Sequence, residues 1–163
     1  MPMKLFDIRP MTPADLDAVL AVERQCYAHP WSAGFFLQEL ANPLATVDLL
    51  WIEGALAGYL CSWRVDGELH ILNLATAPLF RRHGIGSALL RRAFSHGIAQ
   101  GVEKAFLEVR VSNEAAIDLY RHFGFRTIFR RPCYYPDGED AWVMERDFAE
   151  SAPRGDLAPP DRG

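Results

Sequence analysis

The residues best suited to hold a charged ligand lie in one short segment, Arg81-Arg82-His83-Gly84-Ile85-Gly86. The segment follows a strand-like run, Glu68 to Ala77, and opens a helical pattern that extends from Gly84 to Gln100. Amides at the start of a helix point outward without partners, and the helix dipole adds positive charge there, so the position suits a phosphate. The segment therefore predicts an anion-binding loop, and a glycine turn that merely joins two elements is the alternative.

Two common nucleotide-binding loops fit this segment poorly. No Gly-Lys-Ser/Thr follows the glycines, as a P-loop requires. The third glycine and the downstream carboxylate of a dinucleotide-binding fold are also missing. Both of these alternatives are therefore poor matches to the segment.

Three side chains elsewhere, those of Glu108, Tyr120 and Glu23, are of types that can transfer protons. Glu108 falls on the polar face of a predicted strand, Ala105 to Val111, and Tyr120 falls on the apolar stripe of a predicted helix. The pattern alone describes Glu108 as a solvated carboxylate, Tyr120 as a core residue and Asn113, before that helix, as its cap. Glu23 falls inside the apolar stripe of the first predicted helix, so it either reaches solvent at the edge of the stripe or serves a site.

The elements that must position these residues are predicted from apolar spacing and from turn signals. Helices are predicted from Pro13 towards Pro30, from Ser32 to Asn42, from Gly84 to Gln100 and from Asn113 to Phe123. Strands are predicted at Lys4 to Arg9, Thr46 to Trp51, Leu56 to Val65, Glu68 to Ala77, Ala105 to Val111, Phe125 to Arg130 and Ala141 to Arg146. Glu53-Gly54 and Asp66-Gly67 are hairpin signals between the second, third and fourth strands. The sum is one α/β domain with a mixed sheet and about four helices.

Composition and charge exclude several classes of function. Half of the 163 residues are hydrophobic, and no apolar run approaches the ~20 residues of a membrane span. The first residues lack the apolar core of a signal peptide, so we expect a cytoplasmic protein. Lys and Arg number 17 and Asp and Glu number 21, a net charge of −4 that argues against nucleic-acid binding.

The cysteines Cys26, Cys61 and Cys133 are isolated and odd in number. Their spacing fits neither a structural zinc site nor a disulfide framework, and no other cluster of metal ligands is present. We expect no metal. The three cysteines are expected to be small buried hydrophobic residues.

The basic loop matches the Q/R-x-x-G-x-G/A signature of the GNAT N-acetyltransferases, in which it grips the pyrophosphate of acetyl-coenzyme A. The segment Leu107 to Phe125 is similar to the second half of the same fold. More narrowly, the chain resembles the bacterial ribosomal-protein-alanine N-acetyltransferases. His29-Pro30-Trp31-Ser32 is similar to their substrate-side helix junction, and Arg130 to Ala141 is similar to their closing hairpin.

The resemblance implies a fold and its limits. A GNAT domain has a mixed, mostly antiparallel seven-stranded sheet flanked by about four helices, and it would occupy residues 1–148 here. Residues 149–163 lie outside the resemblance. They are rich in Ala, Pro, Gly and charge, and we expect them to form a disordered tail.

The resemblance also implies roles for individual residues. Glu108 would be the general base, and Tyr120 would be the general acid that returns a proton to the sulfur of coenzyme A. Trp31, Tyr134 and Tyr135 would bind the acceptor, with packing of the hairpin as the alternative for the two tyrosines. The residues implied to contact acetyl-CoA are Leu74, Ala75, Thr76, Arg81, Arg82, His83, Gly84, Ile85, Gly86, Ser87 and Asn113.

The implied activity is acetyl-CoA-dependent acetylation of a protein N-terminus, an alanine of a small-subunit ribosomal protein. Other N-terminal acetyltransferases share the hairpin Tyr-Tyr-x-Asp-Gly-Glu-Asp-Ala, so this segment favours α-amine acceptors generally. A lysine or small-amine acetyltransferase on the same scaffold is one alternative. A module that binds acetyl-CoA without catalysis is the other. The expected partner is a protein N-terminus, with neither nucleic acid nor membrane.

Overall fold

A computed structural model describes residues 6–149. The first two residues of the strand predicted from Lys4, and all but the first residue of the predicted tail 149–163, lie outside the described residues. The helices are α1 (Leu16–Cys26), α2 (Ala33–Ala41), α3 (Ile85–Ala99) and α4 (Glu114–His122). The strands are β1 (Asp7–Pro10), β2 (Ala45–Ile52), β3 (Ala55–Val65), β4 (Glu68–Thr76), β5 (Lys104–Arg110), β6 (Arg126–Arg131) and β7 (Ala141–Asp147). Short 3₁₀ turns at Pro13–Asp15 and Pro78–Phe80 precede α1 and the basic loop.

The seven strands form one sheet in the order β1-β2-β3-β4-β5-β7-β6. Neighbouring strands run antiparallel except β4 and β5, which run parallel. Helix α3 makes the crossover between these two parallel strands. The predicted α/β fold, with its mixed and mostly antiparallel seven-stranded sheet and four helices, is confirmed.

Local chemistry explains most of the element boundaries. Glu53 and Gly54 have φ of 50° and 82°, and Asp66 and Gly67 have φ of 47° and 79°. Two consecutive left-handed residues are what a tight hairpin between twisted strands requires, and glycine at the second position adopts this conformation freely. Both predicted hairpins are therefore confirmed.

The helix cap predicted at Asn113 is present, and Ser32 caps α2 in the same way, but the first helix is shorter than predicted. The Ser32 side chain accepts a hydrogen bond from Phe35 N at 3.1 Å, and Asn113 Oδ1 accepts one from Ala116 N at 3.2 Å. Helix α1 ends at Cys26, so Tyr27 is extended rather than on the helical stripe to which the pattern assigned it. A long-range contact replaces the helical one, because the Tyr27 hydroxyl donates to Leu74 O at 2.5 Å.

Buried side chains form two clusters on opposite faces of the sheet. Alternate residues of one strand point to opposite faces, and Leu49 and Leu50 of β2 accordingly belong to different clusters. Helices α1 and α2 cover the cluster that contains Leu49, and α3 and α4 cover the cluster that contains Leu50. The ends of β4 and β5 therefore lie between two helical layers, one formed by α1 and α2 and the other by α3 and α4.

The three cysteine thiols are free, but they are not all buried as predicted. Cys61 is buried and Cys26 is half-buried, whereas Cys133 is exposed. Cys133 lies in the loop between β6 and β7, with a φ of 48°, and its amide donates to Asp140 Oδ1 at 2.8 Å. The prediction of a buried side chain is wrong for Cys133, because this residue belongs to a surface turn whose conformation is set by main-chain contacts.

Candidate active site

A cleft opens where the two parallel strands separate. Strands β4 and β5 pair only from Glu68 opposite Lys104 to Ile71 opposite Leu107, although β4 continues to Thr76. On its other edge β4 carries one extra residue, Leu72, because Asn73 faces Cys61 while Ile71 faces Ser62. Such a bulge bends a strand and increases its twist. The bend turns β4 away from β5 at the point where their pairing stops.

The cleft has a volume of about 740 Å³. Its lining comes from the divergent ends of β4 and β5, from α4, and from the α1–α2 and β6–β7 loops. The predicted site residues that line it are Trp31, Leu74, Glu108, Asn113, Tyr120 and Tyr135. The predicted site residues outside its lining are Ala75, Thr76, Arg81, Arg82, His83, Gly84, Ile85, Gly86, Ser87 and Tyr134.

Glu108 is exposed to the cleft from the middle of β5. The Tyr134 hydroxyl hydrogen bonds to its carboxylate, and this bond is the main cause that raises the pKa of Tyr134 above its usual range. Tyr134 itself is 47% exposed. The sequence did not indicate this contact, which gives Tyr134 a partner in the site in addition to its packing in the hairpin, where its ring centroid lies 5.1 Å from that of Tyr135. A carboxylate held in this way is oriented and still open to solvent, as a base that works through water must be.

Tyr120 is only 7% exposed, yet it lines the same cleft. Its ring packs edge-on against Phe125, with 5.7 Å between centroids. Burial raises the pKa of the Tyr120 phenol above its ordinary value of 10. The phenol is therefore protonated throughout the neutral range and can donate a proton to a group in the cleft.

The loop between β6 and β7 is fixed to β5 by Arg110. The Arg110 Nη1 atom lies 2.9 Å from carboxylate oxygens of both Asp137 and Glu139, and the guanidinium carbon lies 4.0 Å from the ring centroid of Tyr135. Burial raises the pKa of Tyr135 to about 12, although Arg110 acts in the opposite direction. These contacts hold the Tyr135 ring at the wall of the cleft and keep its hydroxyl protonated.

The basic loop has the main-chain conformation of an anion site, although it lies beside the cleft rather than in its lining. Arg82 and Gly84 are left-handed, with φ of 66° and 77°. Left-handed residues within a turn direct neighbouring amides to one side and form a concave anion site. The bond from Ala88 N to Gly84 O, at 3.0 Å, is the first of α3, so the amides of Ile85 and Gly86 have no carbonyl within the helix.

The α1–α2 loop forms the opposite wall of the cleft. The Trp31 ring packs on the Phe35 ring with 4.4 Å between centroids. The main-chain amide of Trp31 donates a hydrogen bond to Glu23 Oε2 at 2.8 Å. Asn113 lines the cleft and also caps α4, so its two predicted roles are compatible. Glu23 is 1% exposed and lines the cleft, so it does not reach solvent at the edge of the stripe.

Among residues 6–149, no group of three or more His, Cys, Asp and Glu side chains could hold a metal ion. No helix of this part of the chain is long and apolar enough to cross a membrane. The polar groups gathered in the cleft include three carboxylates, Glu23, Glu108 and Asp137, and the phenols of Tyr27, Tyr120 and Tyr135. Such a set can bind a cationic amine and exchange protons with it.

Comparison with known proteins assigns this arrangement to a family. The model of the Acetyltransferase (GNAT) family matches residues 16–125. The chain belongs to this family.

Relatives of this GNAT acetyltransferase include a ribosomal-protein-alanine N-acetyltransferase and an N-alpha-acetyltransferase. The [ribosomal protein bS18]-alanine N-acetyltransferase of Escherichia coli (strain K12) is 36% identical over 133 residues, which are 80% of this chain and 89% of that protein. An N-alpha-acetyltransferase of Sulfurisphaera tokodaii is 30% identical over 154 residues, 86% of this chain and 92% of its own. The crystal structure of the ribosomal-protein-S18-alanine N-acetyltransferase from Escherichia coli superposes with a TM-score of 0.83 at 33% identity, covering 90% of this chain and 96% of that one.

Proposed function

We propose that this protein transfers an acetyl group from acetyl-CoA to the N-terminal α-amine of a protein, an alanine of a small-subunit ribosomal protein. The named activities of its Escherichia coli and Sulfurisphaera relatives support an α-amine acceptor. The similarity to the Escherichia coli enzyme over most of both chains supports the ribosomal substrate.

The observation that carries the proposal is that one cleft is lined by Glu108 and Tyr120, which come from different elements. The two residues are suited to opposite tasks. Glu108 is exposed and acts as the proton acceptor, whereas Tyr120 is buried and protonated and acts as the donor. Transfer of an acyl group to an ammonium requires both tasks, since the amine must lose a proton and the leaving thiolate must gain one.

An α-amine is the easier acceptor for such a site. Its ordinary pKa is about 7.7–8.0, so deprotonation at pH 7 costs about 1 kcal/mol, whereas a lysine of pKa about 10.4 costs roughly 4–5 kcal/mol. One solvent-exposed carboxylate is a modest base. Glu108 therefore fits the smaller demand of an N-terminus.

In the proposed reaction Glu108 takes a proton from the acceptor ammonium through a water molecule. The neutral amine nitrogen forms a bond to the thioester carbonyl carbon, and the carbon–sulfur bond breaks as the nitrogen releases its second proton to solvent. Glu108 also returns the proton it gained to solvent. Tyr120 gives its phenolic proton to the leaving sulfur and is reprotonated from solvent. The loop from Arg81 to Ser87 binds the pyrophosphate of the acetyl donor with main-chain amides, and Leu74, Ala75 and Thr76 bind its pantetheine arm.

The experiment that tests this proposal is acetylation of a peptide library. The protein is incubated with acetyl-CoA and peptides with free N-termini, and the modified atom is located by fragment mass spectrometry. We expect acetylation of N-terminal alanine in peptides that begin like small-subunit ribosomal proteins. Acetylation confined to lysine side chains or small amines would show that the acceptor is not an N-terminal α-amine. Binding of acetyl-CoA without turnover on any acceptor would indicate a non-catalytic module.

A further inference from the structure

The divergence of β4 from β5 leaves one edge of β4 without a strand partner. Ala77 N donates to Ala57 O of the β3 side at 2.8 Å. Main-chain groups of successive residues in a strand point to alternate edges, so the groups of Thr76 and Leu74 face away from β3, towards the gap. Buried main-chain groups need hydrogen-bond partners, and β5 is too far away to provide them here.

The end of α1 provides partners for this edge. The Tyr27 hydroxyl donates to Leu74 O at 2.5 Å, and Cys26 Sγ donates to Thr76 O at 3.3 Å. The two carbonyls that face the gap thus each have a donor from two consecutive residues, some 50 positions earlier in the chain. Each contact occupies a carbonyl and leaves the amide of the same residue facing the gap.

Glu23, one turn before Cys26, makes a second set of contacts. Its Oε1 atom accepts from Asn73 Nδ2 at 2.9 Å and from the Tyr59 hydroxyl, and its Oε2 atom accepts from Trp31 N at 2.8 Å. Asn73 directly follows the bulge of β4, and Trp31 belongs to the wall of the cleft opposite β5. A carboxylate that is 1% exposed and takes three donors from three separate segments fixes those segments relative to one another.

From these contacts we infer that the last turn of α1 together with the residue that follows it, Glu23 to Tyr27, takes the place of β5 along the divergent half of β4 and so holds the cleft open. Tyr27 is then a positioning residue for the β4 main chain that receives the acetyl donor. Glu23 is a positioning residue for the Trp31 wall that receives the acceptor. This inference rests on the proposed function for the identity of the two substrates. The hydrogen bonds of Glu23, Cys26 and Tyr27 are independent of that function.

Replacement of Tyr27 tests the donor side. Tyr27→Phe keeps the ring and removes the donor of Leu74 O, so the main chain of β4 loses its fixed orientation at the donor site. We expect the Kd of acetyl-CoA, measured by calorimetry, to rise about tenfold, which is the effect of one hydrogen bond. The KM of the peptide acceptor should change less than about twofold. Cys26→Ala, which removes the weaker thiol donor, should give a smaller rise of about fourfold in the same Kd.

Replacement of Glu23 tests the acceptor side. In Glu23→Gln the amide oxygen can keep accepting from Asn73 and Tyr59, whereas the new NH₂ group faces the Trp31 amide and cannot accept from it. We expect the KM of the peptide acceptor to rise about tenfold, with the Kd of acetyl-CoA within about twofold of wild type. Glu39→Gln is the matched control, because Glu39 is also buried and accepts from Trp63 Nε1 at 2.6 Å but does not line the cleft. It should lower the unfolding temperature without changing either constant.

Tyr27→Phe should raise only the Kd of acetyl-CoA, and Glu23→Gln should raise only the KM of the peptide. This difference distinguishes positioning from general loosening of the fold. The inference is overturned if both variants keep wild-type constants, or if each variant changes the Kd of acetyl-CoA and the KM of the peptide together, in parallel with its unfolding temperature. If either variant fails to fold, the Kd of Cys26→Ala decides, and an unchanged value overturns the inference. A wild-type protein without peptide acetylation would refute the proposed function instead, while the Kd of Tyr27→Phe would still test the contact between α1 and β4.

Discussion

In the proposed reaction Glu108 and Tyr120 exchange protons in opposite directions, and the structure surrounds them differently. Glu108 stands in solvent with the Tyr134 hydroxyl on its carboxylate. Tyr120 is withdrawn from solvent and packs against Phe125. A base needs access to the amine and to water, and an acid needs to keep its proton until the thiolate forms. The exposed position of Glu108 suits the proposed base, and the buried position of Tyr120 suits the proposed acid.

Replacement of Glu108 by glutamine should impair the chemical step. Glu108→Gln keeps the shape and removes the base, so we expect kcat at pH 7 to fall by about 10² with little change in the Kd of acetyl-CoA. The difference from wild type should narrow as the pH rises past about 8, because the α-amine then arrives already neutral. Glu103→Gln, an exposed glutamate just before the same strand, is the control and should be fully active. Wild-type turnover of Glu108→Gln in single-turnover measurements would make Glu108 a surface residue.

Replacement of Tyr120 by phenylalanine should separate proton donation from packing. The ring contact with Phe125 survives in Tyr120→Phe, so the unfolding temperature should change little, while kcat falls at least about tenfold. Because burial raises the pKa of Tyr120, the wild-type acid stays protonated up to at least about pH 10, and kcat should show no alkaline decline below that pH on its account. A folded and fully active Tyr120→Phe enzyme would mean that water supplies the proton and that Tyr120 is a core residue.

At the scale of the element, the start of α3 should carry the affinity for the acetyl donor. A valine at Gly86 places a branched side chain in the first turn, where the amides must face the pyrophosphate. We expect Gly86→Val to weaken acetyl-CoA binding about tenfold or more in calorimetry. Gly97→Ala, near the other end of α3, is the control, since its methyl group would meet Val102 Cγ2 at an ordinary contact distance of 3.4 Å. Equal affinity of a folded Gly86→Val protein and the wild type would remove the loop from the site.

The elements differ in how far local sequence could predict them. Hairpins at Glu53-Gly54 and Asp66-Gly67 and the cap at Asn113 depend on neighbouring residues only, and they were predicted correctly. The early end of α1 was not, because Tyr27 leaves the helix to reach Leu74, which is 47 residues away. The bulge at Leu72, which opens the cleft, has no local signal at all.

The same distinction applies to the site. The basic loop could be found from its residues, because consecutive arginines and glycines before a helix have a direct physical meaning. Glu108 and Tyr120 have ordinary patterns, and only the family resemblance selected them. The contact of Tyr134 with Glu108, and that of Arg110 with the hairpin, join residues about 26 or more positions apart, and no spacing rule predicts such pairs.

At the scale of the whole molecule, buried phenols should limit stability at high pH. Burial raises the pKa values of Tyr59 and Tyr120, so the folded protein keeps their protons at pH values where the unfolded chain loses them. The stabilisation is therefore complete below the unfolded pKa of about 10 and is lost as the pH rises above it. Each phenol should lower the free energy of unfolding by up to about 1.4 kcal/mol per pH unit in that range.

Denaturant unfolding at about pH 8 and about pH 11 checks this expectation, with tyrosinate absorbance as the second probe. The absorbance of the two phenolates should appear together with unfolding rather than before it. Equal free energies of unfolding at the two pH values, with full ionisation of all tyrosines in the folded protein, would contradict the described burial.

The central claim, that the cleft acetylates an α-amine, is tested most directly on one peptide that carries both a free N-terminal alanine and an internal lysine. After reaction with acetyl-CoA at pH 7, mass spectrometry compares acetylation at the two nitrogens, and the same peptide with a blocked N-terminus serves as the control. We expect acetylation of the α-amine at least about 10²-fold faster than of the lysine, the ratio of their neutral fractions. Comparable rates at both nitrogens, or an undiminished rate on the blocked peptide, would contradict it.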